Sequence, residues 1–426
     1  MARVLPRSLS GGRSPMLAAQ HVPLERVEVP APSEAFPRER GESSPLRPTA
    51  PGVFRHERAL DGLRGVAVLA VMLFHFTMYE ESTRPLYRSA LRLLGAGWAG
   101  VDLFFALSGF LITGILLDTR DQPHFFRNFY ARRALRILPL YYAVLAAVMV
   151  MLAVRLPASG TELRDLFGRQ LWLWTYTSNI EGAIAGQWHF NAGGVYLNHF
   201  WSLAIEEQFY LVWPVVVLTL SRRALTASTL GIALTAALLR AVLTACGVAP
   251  TTVYSFTPCR LDALALGGLA AVVVREPAFR WLWLTRGAGL LALGQLAWLA
   301  WRQRGLPWLD SNVDVSGLSA LAVLAASVLV ELSVEPGGPL RSLFRSRPLV
   351  FLGKYSYATY VFHYMLWPRL ERHLPAARLE AASGSELLGL VGHVMIGIVI
   401  SVALAVLSFH LFERHFLALR RRFAYR

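Results

Sequence analysis

Apolar positions along this chain do not alternate, nor do they trace a single stripe at helical spacing. They fall into ten unbroken runs, at 59–79, 98–118, 137–154, 201–220, 226–246, 258–275, 281–300, 315–334, 349–368 and 387–412. Each is close to the ~20 residues a helix needs to cross a bilayer. The pattern predicts an all-α integral membrane protein, a bundle of about ten transmembrane helices. The stretch 166–180, LFGRQLWLWTYTSNI, is amphipathic and too polar at its ends to span, so it is expected to be interfacial or re-entrant. Residues 1–58 hold Pro, Ser, Arg and Glu without an apolar run or a signal-peptide core, and are expected to be a disordered cytoplasmic tail. Residues 59–412 form the membrane domain and 413–426 a basic cytoplasmic tail.

Charge orients the bundle. The formal net charge of +15 sits almost entirely on arginine, Lys354 being the only lysine. Arg120, Arg127, Arg132, Arg133 and Arg136 crowd the second gap between runs, and later even-numbered gaps repeat the excess. Odd-numbered gaps are balanced, as where Glu80 and Glu81 offset Arg84 and Arg88. The positive-inside rule then places both termini in the cytoplasm. With 55% hydrophobic and 16% charged residues, such basicity marks membrane topology, not nucleic-acid binding. Cys246 and Cys259 lie near the ends of neighbouring runs, which permits a disulfide without requiring one.

Polar residues inside apolar runs are costly and mark candidate chemistry. In LDGLRGVAVLAVMLFHF, Arg64 and His75 are eleven residues apart and share a helix face within roughly 20°. Along the axis they are about 16 Å apart, too far to touch. Asp102 opens the second run, with Ser108 deeper; Ser202, Glu206 and Glu207 lie in the fourth; Arg260 and Asp262 in the sixth; His363 in the ninth. The topology puts His75, Asp102, Glu206, Arg260 and His363 near one outer level. An acidic side chain there could orient a histidine base. On the inner side Arg133 and Arg136, one turn apart, could form with Arg64 a basic mouth for a multiply charged anion such as a pyrophosphate.

Together these stretches resemble the membrane-bound acyltransferase family 3, bacterial O-acyltransferases, over about residues 58–412. The family's Arg-to-His spacing reads as Arg64 and His75, and its paired arginines as Arg133 and Arg136. The resemblance implies a multi-pass protein of the bacterial cell membrane that moves an acyl group, commonly acetyl, from acyl-CoA to a hydroxyl, without a metal. It implies His75 as general base, with Asp102 or Glu206 orienting it, and Arg64, Arg133 and Arg136 holding acetyl-CoA. His363, Ser202 and Arg260 are the expected acceptor contacts, and Ser108 an alternative covalent route. A surface polysaccharide, cell-wall glycan, glycolipid or macrolide-type metabolite could be the acceptor. The competing classes are a transporter of an acyl group or amphiphile and a noncatalytic scaffold.

Overall fold

The structure, a computed structural model, describes residues 57–82, 84–155, 160–276, 282–335 and 337–424. The N-terminal tail expectation therefore lies almost wholly outside the described residues. Each of the ten apolar runs is a helix: α1 Arg58–Thr77, α2 Gly100–Asp118, α3 Phe125–Arg155, α4 Phe200–Thr219, α5 Arg222–Ala245, α6 Thr257–Val273, α7 Leu282–Arg302, α8 Leu318–Val334, α9 Arg347–His373 and α10 Glu386–Ser408. Among the described residues, seven helical spans are long and apolar enough to cross a membrane, those containing α1, α2, α3, α5, α6, α8 and α10. The other three, α4, α7 and α9, run 20, 21 and 27 residues but are diluted by aromatic, glycine and charged positions.

α1 is a central helix, with 67% of its apolar window buried against 22% for α5 at the rim. Missing side chains let its neighbours come close. A Cβ on Gly353 of α9 would stand 1.8 Å from the Asp61 carbonyl oxygen, and one on Gly65 would stand 2.1 Å from that of Leu349. α2 and α6 meet the same way through Gly109 and Gly267. In lipid, such backbone contact supplies association that the hydrophobic effect cannot.

Ion pairs and hydrogen bonds sort the ends of the helices into two faces. On one, Glu57 pairs with Arg341 at 2.5 Å, Asp118 with Arg275 at 2.9 Å, and Arg132 donates to the Arg420 carbonyl at 3.3 Å. On the other, Trp98 donates to the Leu306 carbonyl and Tyr87 to that of Glu386, both at 2.9 Å. These groupings match the even and odd gaps of an up-and-down bundle. Glu57 also caps α1, accepting from the Ala59 amide at 3.3 Å. Burial is the largest single influence and raises its carboxyl pKa, but the bond from Arg341, the Ala59 amide and the charges of Arg341 and Arg345 together outweigh it and lower it.

After α10, helix continues through Phe409–Glu413 and Arg414–Leu419 to a turn at Arg420–Phe423, so the described basic residues of 413–426 follow on without a break. The stretch 166–180 spreads over three short helices, Thr161–Gly168, Gln170–Trp174 and Ser178–Ala185, tied to α3 by Tyr141 and Tyr142, which donate to the Leu173 and Trp174 carbonyls. After them comes a hairpin, β1 Asn191–Ala192 and β2 Val195–Tyr196, antiparallel with Asn191 opposite Tyr196. Gly193 and Gly194 make its turn at φ 54 and 78, values glycine adopts without strain. Cys246 and Cys259 are both free, the first exposed and the second buried.

Candidate active site

α1 carries the two ends of the site. Near its start, Arg64 lines a narrow cavity of about 80 Å³ with Arg133 and Arg136 of α3, Ser108 of α2, and Glu206 and Tyr210 of α4. Three guanidinium groups thus reach one space from two helices. Arg64 has Asp61 at 3.4 Å and Arg133 sits 5.2 Å from the Tyr210 ring centre. Near the other end of α1, His75 lines a second cavity of about 370 Å³. Its walls are mostly aromatic, including Trp188, Trp201, Tyr254 and Trp308. Both cavities have Val101 and Tyr360 in their walls.

The histidine's proton state follows from its partners. His363 Nδ1 lies 2.7 Å from the Tyr360 carbonyl, which only accepts, so that nitrogen carries the proton. Neutral His363 then has an acceptor at Nε2, 3.1 Å from His75 Nδ1. His75 Nδ1 also lies 3.0 Å from the Val71 carbonyl. With two acceptors around it, Nδ1 of His75 bears the hydrogen, and the lone pair is left on Nε2. A neutral His75 thereby presents an unprotonated Nε2, while its Nδ1 is held between its two partners. Tyr364 stacks at a tilt with its ring centre 4.3 Å away. Its hydroxyl accepts from Asn191 of the hairpin at 2.8 Å.

His363, expected to meet the acceptor, is instead fully buried behind His75 and holds it. Asp102, expected as an orienting carboxylate, is bonded to Arg260 at 2.9 Å, both of them 1% exposed. Arg260 accordingly lines neither cavity. Its guanidinium lies 4.6 Å from the Tyr254 ring centre, 5.6 Å from Trp201 and 5.7 Å from Phe105. The pair braces the aromatic partition between the cavities. Helix position alone could not distinguish this, since Asp102 occurs at His75's level but reaches a different neighbour.

Glu206 is engaged on the arginine side. Ser108 Oγ donates to Glu206 Oε1 at 2.6 Å, so the Tyr210 hydroxyl, 2.7 Å from Ser108, donates to the serine. No sequence motif placed Ser108 beside a carboxylate; the contact spans two helices 98 residues apart in sequence. Ser202 Oγ and Tyr360 OH are 2.5 Å apart, and both reach the His199 carbonyl. Their two protons are consumed in that triangle. Sequence reasoning placed His199 on one face with Glu206 but missed Asn198 and the cavity's aromatic walls. His199 donates from Nε2 to the Val361 carbonyl at 3.1 Å, which leaves Nδ1 buried without a partner. Trp188 Nε1 is likewise buried and unpaired. The dense Trp and Tyr content at 172–213 was the available signal. Among the described residues, no three His, Cys, Asp or Glu side chains are grouped to hold a metal ion.

A family profile described as an acyltransferase domain matches residues 57–410. The chain is 29% identical to the peptidoglycan O-acetyltransferase OatA of Listeria monocytogenes, over 72% of this chain and 48% of that protein. It is 29% identical to the putative peptidoglycan O-acetyltransferase YrhL of Bacillus subtilis, over 84% of this chain and 55% of that protein. The O-acetyltransferase OatA of Staphylococcus aureus shares 26% identity, over 73% and 50% of the two chains. The chain spans about half the length of these relatives. No solved structure matches significantly.

Proposed function

Since the chain belongs to the membrane-bound acyltransferase family 3, defined by its acyltransferase domain, we propose that it is an O-acetyltransferase that carries acetyl from acetyl-CoA to a hydroxyl of a cell-wall glycan. The observation that carries this reading is the juxtaposition on α1: an arginine-lined cavity at one end, and at the other a histidine whose free Nε2 serves an aromatic cavity. Three guanidinium groups match the pyrophosphate of acetyl-CoA, the part of the donor that the first cavity would hold. A sugar suits the second, because its ring has an apolar C–H face for the aromatic walls and hydroxyls for His75.

In the proposed reaction the acceptor hydroxyl gives its proton to His75 Nε2 while its oxygen attacks the thioester carbonyl. The carbon–sulfur bond breaks and the sulfur leaves with its electron pair. The proton on His75 then passes to the leaving thiolate or to solvent, restoring the base. His363 keeps Nδ1 of His75 protonated throughout, and thus fixes which nitrogen does the work. That the named relatives are peptidoglycan O-acetyltransferases supports a cell-wall glycan as acceptor.

A second reading is favoured by one contact. Ser108, 2.6 Å from Glu206, has a nucleophile's partner and lies among the arginines. Acetyl could pass first to Ser108 Oγ, with Glu206 taking the proton, and then to the acceptor. The test is transfer of radiolabelled acetyl from acetyl-CoA to peptidoglycan strands by purified protein. Direct transfer predicts that Ser108→Ala retains turnover and that no acetylated protein accumulates when acceptor is withheld. Acetyl trapped on Ser108 would establish the two-step route, and no transfer at all would refute both.

A further inference from the structure

The loop after α7 has an unusual backbone. Arg304 and Leu309 both adopt positive φ, 56 and 62, although neither is glycine, and Gly305 sits at 143. Such strain persists only where surrounding structure enforces it, and it clusters at functional sites. Here the restraints are visible. The buried Trp98 donates to the Leu306 carbonyl at 2.9 Å, the Gly305 amide to Ala300 at 2.7 Å, and Gln303 to Asp310 at 3.1 Å. Their joint effect is to hold Trp308 edge-on to Phe74, 6.0 Å between ring centres, and to Tyr254 at 6.1 Å.

Trp308, Phe74 and Met78 line the His75 cavity and also a second, wider compartment of about 710 Å³. The outer compartment has a different wall. Glu80, Glu81, Arg88, Arg92, Gln303 and Arg304 surround an aromatic floor. An acyl lipid would need a continuous apolar path, which six polar residues interrupt. A polyphosphate would suit the arginines but meet Glu80 and Glu81. A chain of sugars fits both surfaces, with C–H faces on the rings and hydroxyls toward planar polar groups of either sign.

Resting on the acetyltransferase assignment of the His75 cavity, we propose that the outer compartment is an extended glycan subsite. Trp308, where the two spaces join, is the platform on which the sugars beyond the first disaccharide begin to stack. The wider space lies away from His75, so most of the bound acceptor lies there, and the preferred substrate is an oligosaccharide chain rather than a single sugar.

The experiment titrates the purified full chain in nanodiscs, without acetyl-CoA, with muramidase-released peptidoglycan disaccharide and with longer strands of the same material. The longer strands should bind about tenfold more tightly. Trp308→Ala should erase that length advantage, and Trp308→Phe should keep most of it. Arg92→Ala, on the polar wall, should weaken strand binding and leave the disaccharide unchanged, which keeps the test decisive if Trp308→Ala does not fold. Equal affinity for both lengths in the unsubstituted protein, or a length advantage that survives both Trp308→Ala and Arg92→Ala, would overturn the proposal. Acetyl transfer is measured separately on the same preparations. Failure to transfer with the length effect intact would refute the acetyltransferase assignment alone; equal KM for disaccharide and strand would refute the subsite alone.

Discussion

The two cavities along α1 solve different problems with different residues. The arginine cavity is narrow, about 80 Å³, and its chemistry is polar: three guanidinium groups, two carboxyl groups and six hydroxyls. The histidine cavity is several times larger, about 370 Å³, and its chemistry is shape: aromatic faces around two histidines, His75 and His199. A single wall, containing Val101 and Tyr360, belongs to both. On the proposed function, one helix brings two unlike substrates to a common point. It also shows what the buried ion pair does. Asp102 and Arg260 touch neither space as ligands, yet Arg260 lies against Phe105 on one side and against Trp201 and Tyr254 on the other.

The sharpest way to break the comparison is at the base. His75→Ala should lower acetyl transfer by roughly 10²- to 10⁴-fold while acetyl-CoA binding persists, as steady-state and binding assays on the same preparation will show. Asp102→Ala should act on stability instead. Leaving Arg260 buried without its partner costs about 3–5 kcal/mol, seen as a lower melting temperature in detergent. Were Asp102→Ala to melt like the parent and lose only turnover, the bracing role would be wrong. Arg133→Ala should weaken acetyl-CoA binding by about tenfold or more, the worth of one charge-assisted contact, and leave the glycan dissociation constant alone. The mildest expected effect is His363→Ala, with kcat down about tenfold through loss of one orienting hydrogen bond and both KM values held. A rise in acceptor KM at constant kcat would instead return His363 to the acceptor-contact role the sequence suggested.

Much of this fold was legible because lipid makes burial and length speak plainly. Ten runs became ten helices, and the arginines at 64, 133 and 136 line one cavity. Partner choice was not legible. The level of His75 is shared by Asp102, His363 and Arg260, and which pairs form depends on rotation and on which neighbours are drawn close by Gly353, Gly65, Gly109 and Gly267. Hence the histidine is held by another histidine, and the carboxylates are spent on Arg260 and Ser108. The hairpin at 191–196 escaped notice because each of its strands is two residues long, too short for alternation to show; the Gly193–Gly194 pair was its only mark.

The division of labour between the cavities is tested most directly by crossing two substitutions with two ligands. Acetyl-CoA and peptidoglycan strands would each be titrated into Arg133→Ala and into Trp308→Ala. The predicted result is a clean double dissociation, with Arg133→Ala weakening acetyl-CoA binding only and Trp308→Ala weakening strand binding only. If Trp308→Ala weakened acetyl-CoA as much as the strand, or Arg133→Ala the strand as much as acetyl-CoA, the two cavities would not be separate donor and acceptor sites.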